Sequence, residues 1–200
     1  ILVRVTDDGP GTLSATQTLE VVVVPQPQLV LNEIMYRPTT PGTEFIEILN
    51  RSSHTTESLD NVALTGNNLS FAFPAGIRLD PGQFLLVVAN PTAFEAAYGT
   101  DAPVAGAWTG TLGATGDTLR LVRQTPGSNL EVLDEVSYSS SAPWPAAANG
   151  GGGSLQLIDP MQDNTRVGNW SAVTTLTTTE PATVLPMTNL WRYHQAGQDL

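Results

Sequence analysis

Short apolar runs, each stopped by a cluster of turn formers, constrain this chain more than any other feature of its sequence. Leu29 to Met35 and Glu44 to Leu49 read as strands on either side of Arg37-Pro38-Thr39-Thr40-Pro41-Gly42. Leu69-Ser70-Phe71-Ala72-Phe73 alternates with period two, as a half-buried strand does. Asp80-Pro81-Gly82 turns the chain into Phe84 to Ala89, a continuous apolar run suited to a central buried strand. Thr118 to Arg123 alternates again, Val132 to Tyr138 follows a Pro-Gly turn, and Ser154 to Ile158 closes the set. One helix interrupts them. Asn90 is placed to cap it, Pro91 suits its first position, Thr92 and Glu95 are spaced for a capping box, and Gly99 stands where it should end. Phe94, Ala97 and Tyr98 share its apolar face. Short strands at this spacing with one minor helix predict an all-β sandwich rather than a βαβ fold.

Composition agrees. Hydrophobic residues make up 40% and charged residues 14% of 200, with 18 Gly and 15 Pro, enough for a core and too little charge for a self-repelling tail. Net charge is −11, from 8 Lys+Arg against 19 Asp+Glu, with no basic cluster. That disfavours nucleic acid and anionic membrane surfaces alike, both of which need Lys and Arg. No apolar run approaches the roughly 20 residues of a membrane span, so no membrane insertion is expected. With no cysteine, disulfides, zinc-thiolate sites and Cys nucleophiles are excluded.

The chain divides into five stretches by its punctuation. Residues 1–24 read as a hairpin, with Asp7-Asp8-Gly9-Pro10-Gly11 between Ile1 to Thr6 and Thr16 to Val24. It resembles the last two strands of a cadherin-like or immunoglobulin-like repeat, and the chain is expected to be a piece of a longer polypeptide. Its stripe Val21-Val22-Val23-Val24 is expected to dock on the central sandwich or to pair with another chain. Residues 25–28 form a stiff Pro-Gln linker, residues 29–173 the sandwich, residues 174–189 a Thr/Pro-rich linker, and residues 190–200 the start of a following β domain.

The central stretch resembles the lamin tail domain of bacterial secreted proteins. The resemblance is carried by Leu31-Asn32-Glu33-Ile34-Met35-Tyr36, by Glu44-Phe45-Ile46-Glu47-Ile48 with Asn50, and by Leu79-Asp80-Pro81-Gly82-Gln83. Further along come Gly116-Asp117-Thr118-Leu119-Arg120-Leu121, Asp134-Glu135-Val136-Ser137-Tyr138, Pro143-Trp144-Pro145, the run from Gly150 to Leu157, and Asn169-Trp170. The resemblance implies an immunoglobulin-like β-sandwich with no enzymatic activity of its own. It also implies an extracellular or cell-surface setting, where such modules accompany other domains of one polypeptide. Those domains, or other proteins, are the expected partners, with polysaccharide as the alternative.

The sequence offers little to catalysis. Only His54 and His194 are present, and HExxH, GxSxG and GxxxxGK[ST] patterns are absent. No catalytic residue and no organic cofactor is therefore expected. Glu33, Glu44 and Glu47 fall on two neighbouring strands, and their hard oxygens would suit calcium. Strand alternation sets Glu44 and Glu47 on opposite faces, which favours solvated charges and strand-end hydrogen bonds instead. Trp108 and Trp144 are candidates for a sugar platform, since an indole pairs an apolar face with a polar handle. Packing of loop and closing strand is the competing role for Trp144 and Trp170.

Overall fold

The computed structural model describes residues 2–6, 9–10, 14–18, 28–127 and 129–173. Near the start, β1 (Leu2–Thr6) and β2 (Ser14–Thr18) pair antiparallel. Leu19–Val24 with its four valines, most of the Pro-Gln linker, residues 174–189 and residues 190–200 lie outside the described residues, and with them the expected docking of the valine stripe.

From Leu29 onward the strands are β3 (Leu29–Met35), β4 (Phe45–Asn50), β5 (Glu57–Ser58), β6 (Val62–Thr65), β7 (Leu69–Ala72), β8 (Arg78–Leu79) and β9 (Phe84–Val88). After helix α1 (Pro91–Tyr98) come β10 (Val104–Ala107), β11 (Thr109–Gly110), β12 (Gly116–Gln124), β13 (Leu130–Ser139), β14 (Ser154–Leu157) and β15 (Trp170–Val173). One sheet has the order β10-β9-β4-β3-β14-β15, the other β11-β7-β6-β12-β13, and β5 and β8 form a small ribbon of their own. This is the expected all-β, immunoglobulin-like sandwich with one short helix.

Alternation explains the layers. On β4, Ile46 and Ile48 point inward and are fully buried, while Glu47 between them is half-exposed. On β12, Leu119 and Leu121 do the same against Arg120. With Leu31, Ile34, Leu64 and Leu155 they fill the space between the sheets. Each such burial contributes about 1.5–3 kcal/mol over leaving the side chain in water.

The outer face of the six-stranded sheet carries a second, smaller core. Met35, Phe45, Leu86 and Val88 receive Phe94 from α1, with the Phe45 and Phe94 rings edge-to-face at 5.7 Å. This helix links β9 to β10, which run parallel, so the sandwich does contain one βαβ crossover that the spacing argument had set aside. It also buries β9 on both faces, which is why that strand reads as continuously apolar. Asn90 caps α1 through its side chain, accepting from Ala93 N at 3.2 Å, and Gly99 ends it at φ +86°. The Thr92–Glu95 capping box does not form, because Thr92 lies inside the helix rather than before it.

Candidate functional site

Of Glu33, Glu44 and Glu47, two form a cross-strand pair and the third is not part of it. Glu33 and Glu47 are direct cross-strand partners on β3 and β4, with Gln156 of β14 beside Glu33. Each carboxylate already has a donor. Ser154 Oγ and Gln156 Nε2 donate to Glu33, and Asn32 Nδ2 donates to Glu47 at 2.7 Å. A register irregularity between Leu31 and Glu33 places Asn32 there. Burial raises the Glu47 carboxyl above its ordinary range, the Asn32 bond opposes this, and the Glu33 charge adds to it. Glu44 lies just before β4, and its Oε2 is buried without a hydrogen-bond partner. Among the described residues, no group of three or more His, Asp or Glu stands together to hold a metal ion.

The expectation for Trp108 needs correction. Trp108 is only 7% exposed and belongs to the core between the sheets, so it has no free face on which a sugar could stack. Trp144 is half-buried against Trp170, with ring centroids 6.1 Å apart. Both indoles serve packing. His54 is exposed in the loop after β4, and His194 lies outside the described residues.

Buried polar side chains do the most specific work, at positions that the sequence marks through the family resemblance. Asn50, fully buried, donates to Thr55 O and Leu79 O and accepts from Ser52 N. Asp117, 5% exposed, accepts from three backbone N–H groups, those of Asn67, Gly113 and Thr118. Asp134 joins the sheets at their corner: its Oδ2 accepts from Leu31 N on β3 and from Asn164 Nδ2, both at 2.7 Å. Asn164 O in turn accepts from Trp170 Nε1. Burial, only partly offset by these bonds and by the Arg51 charge, pushes Asp134 up to about 6. Asp134 interrupts the apolar run of β13, whereas Asn50 and Asp117 stand at strand ends, where a short polar side chain is the signal for a turn that it holds.

Where β3 begins, the space between the sheets opens into a cleft of about 580 Å³. It is lined by the buried Leu29 and Leu133, by the charged Arg123, Glu131 and Glu57, by the loop Arg51–Thr55 and by the exposed Met161. The loop is tightly held. Ser52 Oγ accepts from His54 N and Thr55 N and bonds Thr55 Oγ1 at 2.6 Å, while Arg51 NH1 donates to Pro160 O.

Comparison with known proteins agrees with this picture. The family model for the lamin tail domain matches residues 24–140, more than half of the chain. No curated protein and no solved structure matches it significantly. The lamin tail domain is an immunoglobulin-like, non-catalytic module, in keeping with buried polar groups that serve the backbone. By this match, which covers more than half of its length, the chain belongs to the lamin tail domain family.

Proposed function

We propose that this chain is a spacer and interaction module of a larger secreted or cell-surface polypeptide, holding neighbouring domains apart and offering its surface to them or to other proteins. One observation carries the reading. Leu29 starts β3 at the cleft end, whereas Val173, opposite Ser154 and hence level with the last residues of β3, leaves at the other end. A chain that comes in at one end of a rigid sandwich and goes out at the other strings modules in line, which is what a spacer requires. The absence of cysteine in a turn-rich sandwich is compatible with a bacterial surface protein, the setting expected from the sequence.

The test uses the polypeptide extended by its natural neighbours on both sides. Small-angle scattering should show the flanking domains separated along one axis by at least the length of the sandwich. Protease applied to intact source cells should remove the segment. Flanking domains folded back against each other, or a segment protected until the cells are lysed, would overturn the proposal.

A further inference from the structure

We infer that the cleft at the β3 end receives a peptide carboxylate flanked by an apolar side chain, seated on the Arg123 guanidinium in competition with Glu131. This rests on the interaction-module reading and names the site and the chemistry of its partner.

The core ends there in a charged pair. Inner positions of β12 run Leu119, Leu121 and then Arg123, and on β13 the position beyond Leu133 is Glu131. Arg123 and Glu131 are register partners, yet Arg123 NH1 and Glu131 Oε2 stand 4.0 Å apart, too far for a hydrogen bond. The hydrogen bond that Arg123 makes with its side chain goes to Ser58 O at 3.1 Å. A planar fork with further N–H donors is thus fixed at one corner, half-exposed, and only loosely neutralised. Carboxylates bind such forks bidentately, with charge-assisted bonds about twice as strong as neutral ones.

The rest of the cleft narrows the ligand. Leu29 and Leu133 provide an apolar lining beside the fork, and Met161, 64% exposed, can fold over an apolar side chain. Ser52, Ser53 and Thr55 line the cleft as well. Their loop is anchored on buried Asn50, so little ordering is left to be done on binding. Among the described residues no Trp, Tyr or Phe lines the cleft, and the broad ring face on which sugars stack is missing there; His54 supplies only an imidazole. A net charge of −11 opposes any anion at long range, so the apolar contact has to contribute to the affinity.

An NMR titration of the full chain with acetyl-Ala-Leu as free acid, as its C-terminal amide, and with trigalacturonate decides the matter. The free acid should shift the Arg123 Nε–H and Leu133 methyl signals, and the amide should bind about tenfold more weakly. Arg123→Gln should cost about tenfold, and Glu131→Gln, which removes the competitor, should gain about threefold. The Glu131 side chain is exposed, so that variant stays folded and decides the question even if Arg123→Gln does not fold. Equal binding of acid and amide, silence at both signals, weaker binding by Glu131→Gln, or preference for trigalacturonate would each overturn the inference. Silence in a sandwich that still holds its neighbours apart removes this site and leaves the spacer reading standing.

Discussion

The two ends of the sandwich finish the same core in opposite ways. At the far end, Tyr36 and Tyr138 stack with centroids 4.9 Å apart, Tyr138 OH donates to Gly113 O, and Asp117 gathers three N–H groups from two loops and its own strand. There, Tyr138 OH and the Asp117 carboxylate are satisfied by backbone groups of the protein itself, while Tyr36 OH is buried without a partner. At the β3 end the same layer stops at Arg123 and Glu131, 4.0 Å apart over a cleft. Polar groups that point at backbone build a fold, and polar groups left to point at each other across a gap are available to something else.

The contrast can be broken most directly at Asp117. Asp117→Ala strands three backbone donors at the far end and should cost about 4 kcal/mol in urea unfolding. Leu121→Ala, midway between the ends and fully buried, should cost about 3 kcal/mol in the same assay. Asp134 sharpens the comparison through pH. Its carboxyl is raised to about 6 in the folded chain, so the folded state holds the proton that the unfolded state gives up near about pH 4. The stability it contributes is complete below that lower value and is lost as pH rises through about 6. Asp134→Asn cannot ionise, and relative to the parent chain it should gain roughly 2 kcal/mol between pH 4 and pH 7. A difference that stays flat with pH would mean that the carboxylate is not penalised by burial. Smallest of all, Glu131→Gln at the open end should change stability by less than about 0.5 kcal/mol. A loss there as large as at Asp117 would abolish the distinction between the two ends.

Much of this was legible in advance because strands with one wet face write themselves as alternation. β3 appears with the bounds expected, and β4, β12, β13 and β14 within a residue or two. Others were not legible: β6, β10 and β11 are short, rich in Ala, Thr and Gly, and take their places from neighbours rather than from any period of their own. The site fared worse. Trp108 looks like an exposed platform only if burial is ignored, and burial is a tertiary property. Glu33 and Glu47 could be placed side by side from pairing rules, but the satisfaction of Glu33 by Ser154 and Gln156 depends on a strand more than a hundred residues away. Arg123 gave no signal, because a strand that alternates Leu-Arg-Leu-Val-Arg says nothing about where the sandwich ends.

β3 has a history as well as a position. It is the first strand of the sandwich to be synthesised, and it is completed on one side by β4 but on the other only by β14, whose Ser154 and Gln156 reach Glu33 across 121 and 123 residues. The family match ends at residue 140, before β14 begins. Throughout the making of everything between, one of the most apolar strands in the chain keeps an unpaired edge. A polypeptide stopped at residue 140 would leave it so permanently, and aggregation through β3 is the failure such a truncation should show.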